Sequence, residues 1–359
     1  MAGKVLAKKN GAPKSSRGAT LDDVARLAQV SPITVSRALR KPDIVSEPLR
    51  QRIDAAIKQL AYVPNVAASR LASSRTHLVG VIVPTLYNVI FAEYLQALHE
   101  ELLNAGFQPV VVNSRYSDQE EENAIKTLLG QRVEAIIVVG VKHTPLARRL
   151  LARSRIPIVE TFQLADDPIC LNVGFSQRLA GIEATRYLIK LGFRQIGFLL
   201  GQHDERANAR LEGYQQAMEE AGLNTVGLVA SQPSHSSIGL GSAIMGRLAD
   251  SGPLPEAIYC IDDNLALGAM HECGKRGIKV PGDLAIIGFH DLEFSACAAP
   301  SISSVATWRY ETGQIAAQKV IEALASGSKL KAAQIDLGFE IVPRESTPAS
   351  TASPKKSHG

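Results

Sequence analysis

The chain has 359 residues, which predicts two or more domains, and its 45% content of hydrophobic residues excludes wholesale disorder. The formal net charge of +4 is unevenly spread, because residues 1–76 hold 14 Lys and Arg against 5 Asp and Glu, whereas the remainder holds 25 against 30. A basic front on a mildly acidic body predicts a polyanionic partner for the front. The sequence has neither an apolar run of about 18 residues nor a signal-peptide stretch, so we expect a cytoplasmic protein without a membrane partner.

Three short helices are predicted at residues 20–64, after a basic arm at residues 1–19 that we expect to be disordered. Thr20 is a typical N-cap residue for the first helix. Ser31 and Pro32 suit the N-cap and first turn of the second. The tight connection between the first two helices is typical of a helix-turn-helix, although a purely structural three-helix bundle would show the same spacing. The local basicity favours the DNA-binding interpretation.

From residue 77 onward, apolar runs such as LVGVIVP at 78–84 and LAIIGF at 284–289 alternate with amphipathic helices. Continuous apolar strands between helices indicate parallel sheets that are covered on both faces. The predicted fold is therefore a small all-α helix-turn-helix head plus an α/β body of two parallel-sheet subdomains at residues 77–343. A Ser/Thr/Pro-rich tail at residues 344–359 is expected to be disordered.

Charged side chains follow several predicted strands, at the edge where open parallel sheets bind ligands. The candidate binding residues at these strand ends are Lys142, Glu160, Arg206, Arg210, Asp262 and His290. Arg206 and Arg210 lie four apart on one helical face, and two cations near a helix start require an anionic partner. The alternatives are surface pairing of these arginines with Asp204 or Glu205, and helix capping within residues 262–264. A ring of charged and polar side chains at one edge of the sheets suits a polyhydroxylated, anionic small ligand.

Sequence motifs of common enzyme classes are absent. GFLLGQ is not a dinucleotide fingerprint, no phosphate loop is present, and no GxSxG elbow accompanies His290 and Asp291. The four cysteines contain no CxxC pair, which disfavours a zinc site or a disulfide framework and suits a reducing cytosol. We therefore expect no enzymatic activity, no cofactor and no metal.

The segment TLDDVARLAQVSPITVSRAL, followed by VSEPLRQRIDAAIKQLAYVPNVAASRLAS, resembles the LacI/GalR family of bacterial transcription regulators. The resemblance continues through LVGVIVP, DDNLALGA and PGDLAIIGF and covers about residues 20–342. It implies a homodimer, sometimes a tetramer, that binds a palindromic double-stranded operator, and a body folded like periplasmic sugar-binding proteins. A secreted solute-binding protein is the rival interpretation, which the missing export signal and the fused head disfavour.

The resemblance also implies which residues contact DNA. The second helix would present Pro32, Ile33 and Arg37 to the major groove, where Arg37 can bind guanine O6 and N7 in a bidentate manner. Phosphate or capping roles are implied for Thr20, Ser31, Thr34 and Ser36, and contacts near the backbone for Tyr62 and Asn65. Residues 65–76 match a hinge helix and linker, in which Leu71 matches a leucine that wedges into a minor-groove step and bends the duplex.

Within the family, the body is most similar to the gluconate-operon repressors, through KHTP at 142–145, NVGF at 172–175 and IDDNLALGA at 261–269. This implies a sugar-acid effector such as gluconate or 6-phosphogluconate, with 2-ketogluconate or a purine- or pentose-type effector as alternatives. The implied roles are carboxylate binding by Arg210 and hydroxyl binding by Glu160, Asp262 and His290, with Arg206 and Lys142 as further candidates. His290 stands where many family members have Asp.

The resemblance finally implies how the effector acts. Ligand in the cleft between the two subdomains would change their relative orientation and, through it, the separation of the two hinges of a dimer. Because an isolated helix of eight residues is marginal in water, the hinge helices would form only on DNA and melt when the ligand binds. Operator affinity would fall as a result.

Overall fold

The computed structural model describes residues 19–40, 42–63, 75–201 and 203–348. The chain divides into two compact units, a head at residues 1–75 and a body at residues 76–359. The described head contains helices α1 (Leu21–Leu27), α2 (Pro32–Arg40) and α3 (Glu47–Leu60), with a 3₁₀ turn at Pro42–Ile44. The three predicted helices are therefore present.

The first helix of the head begins where its capping residues predict. The Thr20 hydroxyl accepts a hydrogen bond from the Asp23 N–H at 3.3 Å, and the Asp23 carboxylate accepts one from the Thr20 N–H at 3.0 Å. Val24, Val35 and Ile53 belong to three different helices and are all buried in one small core. Apolar burial of this kind stabilises the unit and leaves the opposite face of α2 exposed.

The body contains two six-stranded sheets among its described residues. The first, in the order β11-β5-β4-β3-β1-β2, consists of β1 (Leu78–Val83), β2 (Gln108–Asn113), β3 (Ala135–Val139), β4 (Ile158–Thr161), β5 (Leu171–Gly174) and β11 (Ala333–Asp336). The second, in the order β12-β10-β9-β8-β6-β7, consists of β6 (Ile196–Leu200), β7 (Val229–Ser231), β8 (Ala257–Cys260), β9 (Ala285–His290), β10 (Ser303–Ala306) and β12 (Glu340–Val342). Every pairing between these strands is parallel except that of β10 with β12.

Helices cover these sheets, as the continuous apolar strands predict. Against the first sheet pack α4 (Ala92–Asn104), α5 (Asp118–Gly130), α6 (Pro145–Arg153) and α12 (Arg309–Ser326). Around the second sheet lie α7 (Gln177–Lys190), α8 (Glu205–Glu220), α9 (Ile238–Ser251), α10 (Asp263–Arg276) and the short α11 (Glu293–Cys297). The predicted fold class, a helix-turn-helix head plus an α/β body of two mainly parallel sheets, is confirmed. No helix in the described ranges is long and apolar enough to cross a bilayer.

The helix α8, which carries two of the candidate arginines, is held against α7 by direct backbone contact. A Cβ added at Gly181 would lie 2.4 Å from the carbonyl oxygen of Arg210, and one added at Gly213 would lie 2.2 Å from that of Arg178. No larger residue fits at these two crossing points without moving a helix. The backbone that positions Arg210 is therefore fixed by packing.

The predicted tail begins later than residue 344. Arg344 donates hydrogen bonds to both carboxylate oxygens of Asp291, at 2.6 and 3.1 Å, and the buried hydroxyl of Ser346 donates to a backbone carbonyl of β9. The expectation of disorder is thus wrong for residues 344–348, because these polar side chains bond to strand ends and need no apolar periodicity. Residues 349–359 lie outside the described part of the chain.

Candidate functional site

A cavity lies between the two sheets of the body, where the carboxyl ends of their strands face each other. Its inner chamber, about 30 Å³, is lined by Arg206, Arg210, Asp262 and His290 together with residues that follow strands of the first sheet. An outer chamber of about 270 Å³ shares Arg206 with the inner one and is also lined by Lys142. The inner chamber has room for only a few water molecules. A sugar-sized ligand must therefore extend into the outer chamber or move the two sheets apart.

Arg210 is a buried cation that forms no ion pair with any described residue. Its guanidinium carbon lies 4.2 Å from the centre of the Phe289 ring, and only 6% of the residue is exposed. No carboxylate of the described residues lies within 4 Å of it, and its Nε has no hydrogen-bond partner there. Burial lowers the pKa of Arg210, which reflects the cost of holding this charge away from water. Such a group gains most from an anionic ligand.

Arg206 differs from Arg210 because its charge is compensated within the protein. Its Nη2 lies 2.8 Å from a carboxylate oxygen of Asp204, which also caps α8 through the Ala207 N–H at 2.8 Å. Burial acts to raise the pKa of Asp204, but Arg206 and the capping hydrogen bond hold it below its ordinary value. Pairing with Asp204, the alternative to ligand binding, therefore applies to Arg206 and not to Arg210.

Two roles were predicted for Asp262, helix capping and ligand binding, and its position is compatible with both. Its Oδ1 accepts the Leu265 N–H at 3.0 Å and so caps α10, while the same residue lines the inner chamber. Burial raises the pKa of Asp262. The neighbouring Asp263 points elsewhere, to the Ser304 hydroxyl at 2.7 Å and to the backbone N–H of Leu292 at 2.7 Å. Asp262 therefore remains a candidate for binding ligand hydroxyls, and Asp263 holds strands and helices of the second sheet together.

His290 uses both ring nitrogens inside the protein. Its Nε2 lies 3.3 Å from Nη1 of Arg210, and its Nδ1 lies 3.0 Å from the Thr307 hydroxyl. Burial, followed by the charges of Arg210, Arg309 and Arg206, places the pKa of His290 well below its usual value. Arginine only donates, so Nε2 accepts from Arg210 and the ring proton lies on Nδ1. Both ring nitrogens are thus engaged within the protein, and the expected contact of His290 with a ligand hydroxyl stays a prediction.

Glu160 lies in neither chamber, and the expected contact of Glu160 with the ligand is corrected. The lining of both chambers lacks Glu160, which belongs to β4. It is fully buried, accepts the Ile169 N–H at 2.7 Å and lies 3.3 Å from Nε2 of His143. The other ring nitrogen of His143 lies 2.7 Å from Glu121. Glu160 therefore serves a buried ion cluster.

This cluster predicts a pH-dependent stability. Burial acts to lower the pKa of His143, but Glu121 and Glu160 raise it to about 9 from an ordinary value of 6.5. Because the folded state binds this proton more tightly, its stabilisation is complete below pH 6.5 and is lost as the pH rises through about 9. At about 1.4 kcal/mol per pKa unit, the free energy of unfolding contributed by His143 should fall by roughly 3 kcal/mol over this window.

Urea denaturation of the wild-type protein and of His143→Gln, measured across that window, checks this expectation. The difference between the two proteins in free energy of unfolding should shrink as the pH rises. Parallel pH curves would contradict it, because titration of all other groups is common to both proteins.

The candidate DNA face lies on α2 of the head. Pro32, Ile33 and Arg37 are exposed, and Ile33 is 70% exposed although it is a large apolar residue. Thr34 and Ser36 are half-buried, and the Ser31 and Thr34 hydroxyls lie 2.8 Å apart at the start of the helix. This arrangement leaves an apolar and cationic helix face open to a groove.

The other residues predicted to contact DNA lie outside α2. Thr20 is half-buried and engaged in its capping box. Tyr62 is only 7% exposed and packs in the core of the head. Asn65 and Leu71, with most of the predicted hinge, lie outside the described residues.

Gln177 and Tyr116 are lining residues of the inner chamber that the sequence did not indicate. Gln177 Nε2 donates to the Phe162 carbonyl at 2.8 Å, and its buried Oε1 has no partner among the described residues. Burial raises the pKa of Tyr116 to about 12, so its phenol is neutral. Gln177 follows β5, a four-residue strand that lacks a long apolar run, so no signal placed it at a strand end.

Comparisons with known proteins agree with this architecture. The family described as bacterial regulatory proteins, lacI family, matches residues 20–65, and a periplasmic binding protein-like domain matches residues 185–347. The chain is 40% identical to the HTH-type transcriptional regulator GntR of Pseudomonas aeruginosa over 91% of this chain and 95% of that protein. It is 33% identical to the GntR of Escherichia coli K12 over 90% of this chain and 97% of that protein.

Two solved structures extend the comparison to three dimensions. A LacI-family transcriptional regulator from Silicibacter pomeroyi has a TM-score of 0.86 and 31% identity, and covers 92% of this chain and all of that one. The lac repressor dimer bound to operator and an anti-inducer has a TM-score of 0.78 and 25% identity, with 93% of this chain covered and all of that one.

Proposed function

The chain belongs to the LacI family of bacterial regulatory proteins, and from this premise we propose that it represses genes of sugar-acid metabolism. It would leave its operator when a sugar acid such as gluconate or 6-phosphogluconate binds the body. Its relatives carry the names of transcriptional regulators, and the chain is a DNA-binding transcriptional regulator. The observation that carries the effector class is Arg210, a buried guanidinium in the cavity with no carboxylate of the described residues within reach.

The ligand class follows from the chemistry of the inner chamber. A ligand carboxylate can accept charge-assisted hydrogen bonds from Arg210. Asp262 and the unpartnered Gln177 oxygen supply acceptors for hydroxyl groups. A neutral sugar would leave Arg210 without a directly paired carboxylate, whereas an acid supplies one. These groups favour a polyhydroxylated acid.

The mechanism couples this chamber to the head. The ligand would bind between two sheets that are joined where the chain passes from β5 to α7, from β10 to α12 and from β11 to β12. A ligand that binds one relative orientation of the sheets more tightly shifts the population toward it. In a cytoplasmic homodimer on a palindromic operator, that shift would change the spacing of the two hinges at residues 65–76 and melt their helices.

Calorimetry on the full-length protein tests the effector class. Gluconate, 6-phosphogluconate, 2-ketogluconate and galactose are titrated separately, and we expect binding of at least one acid and no comparable binding of galactose. Tightest binding of galactose would contradict the assignment.

Gel-shift experiments on the DNA upstream of its own gene and on nearby promoters test the regulator itself. We expect a preferred site whose affinity falls when the bound acid is added and falls steeply with salt, because phosphate contacts release counterions. Equal affinity for all duplexes, with or without the acid, would contradict the proposal.

A further inference from the structure

The partner of Arg210 is a neutral ring where a counter-ion would be expected. Nη1 of Arg210 lies 3.3 Å from Nε2 of His290, and the ring of Phe289 lies beneath the guanidinium. Asp204 and Asp262 line the same chamber, yet neither lies within 4 Å of Arg210. The hydrogen bond to His290 orients the guanidinium, and no carboxylate of the described residues forms a direct ion pair with it.

His290 is itself held in place, so it cannot turn away from Arg210. Its Nδ1 bonds to the Thr307 hydroxyl at 3.0 Å, and its carbonyl oxygen accepts a hydrogen bond from Arg309. Arg309 is anchored by Glu93 of α4, with Nη2 2.9 and 3.0 Å from the two carboxylate oxygens. Burial, followed by the charges of three arginines, lowers the pKa of His290, so the ring stays uncharged and remains an acceptor.

We infer that His290 is the residue that determines specificity for an anionic ligand, because it orients Arg210 without neutralising it. The inference rests on the proposed function and deepens it. A carboxylate at this position would form an ion pair with Arg210, and an acidic ligand would then bring a second negative charge to a pair that is already neutral. The neutral imidazole reserves the positive charge for the ligand.

Two substitutions that differ only in charge test this inference. His290 has φ of 94°, a left-handed conformation that Asn and Asp adopt more readily than other residues. His290→Asn and His290→Asp therefore suit the same backbone and have nearly the same size. Each is prepared in the full-length protein, and a cooperative melting transition verifies folding.

Calorimetry with gluconate and 6-phosphogluconate gives the first result. We expect His290→Asn to bind within about 10-fold of the wild type and His290→Asp to bind about 100-fold or more weakly than His290→Asn, since a like charge faces the ligand across a buried site. Equal binding by the two variants would overturn the inference.

Melting of the ligand-free proteins gives a second, independent result. His290→Asp should melt at a higher temperature than His290→Asn, because only the carboxylate compensates Arg210. If the wild type bound neither acid, the proposed function would fail, and the role of His290 in acid specificity would fail with it. If the wild type bound an acid and the two variants melted at equal temperatures, the inference alone would be overturned and the proposed function would stand.

Discussion

Replacing Arg210 by methionine is expected to abolish sugar-acid binding and to stabilise the ligand-free protein. Removal of a charged hydrogen-bond partner of a buried ligand costs about 2–5 kcal/mol, which corresponds to roughly 30-fold or more in affinity. Methionine keeps apolar contact with the Phe289 ring. The substitution also removes a buried charge that no carboxylate of the described residues pairs with, so the free energy of unfolding should rise.

Arg206→Met is the matched control for this prediction. Arg206 lies one helical turn earlier on α8 and is buried like Arg210, but it pairs with Asp204 at 2.8 Å. Its removal leaves the half-buried Asp204 carboxylate without its ion-pair partner, so the free energy of unfolding should fall, by up to about 3–5 kcal/mol. Urea denaturation and calorimetry with gluconate measure both variants. Destabilisation of Arg210→Met together with retained acid binding would contradict the assignment of Arg210.

The sequence was sufficient for features that depend on local pattern. The capping residues and apolar spacing around Thr20 and Ser31 predicted the helices of the head. Apolar runs such as those of β1 and β9 predicted parallel sheets and, through them, the edge at which Arg210, Asp262 and His290 meet. These predictions depend on hydrogen bonds and burial within one or two adjacent elements.

The features that the sequence did not indicate depend on contacts between distant segments. β11 pairs with β5 although more than 150 residues separate them, and neither strand carries a long apolar run. Glu160 is a charged residue in a short strand, and only the packing of His143 against it shows that it belongs to a buried ion cluster and not to the chamber lining. Residues 344–348 are ordered by side-chain hydrogen bonds to β9 and β10.

The neutral state of His290 also depends on contacts between segments that are distant in the sequence. From the sequence, His290 could bind a ligand or form half of a catalytic dyad with Asp291. Three-dimensional placement decides, because Thr307 and Arg210 occupy its two nitrogens while Asp291 pairs with Arg344 at 2.6 Å. The role of a titratable residue therefore depends on hydrogen-bond partners that arrive from other elements.

Replacing Arg37 by alanine is expected to weaken operator binding selectively. Arg37 is exposed on α2, the helix that we propose enters the major groove. A bidentate bond to guanine O6 and N7 is worth about 1–3 kcal/mol of discrimination, so operator affinity should fall roughly 5- to 150-fold for each half-site in which this bond is removed. Binding to unrelated duplexes should change much less, because their bases do not present the same acceptors at that position.

Arg26→Ala separates base reading from simple loss of charge. Arg26 belongs to α1 of the same head, its side chain is 78% exposed, and it lies 3.4 Å from Asp23. Arg26→Ala removes the same charge as Arg37→Ala, so it should lower the affinity for operator and for unrelated DNA by the same factor. The reason is that attraction to phosphates does not depend on the base sequence. Gel shifts on the operator and on versions with one base pair changed in each half-site measure both variants. If Arg37→Ala lowered affinity for every duplex equally, as Arg26→Ala should, Arg37 would be a phosphate contact. Base reading by α2 would then have to rest on Pro32 and Ile33 alone.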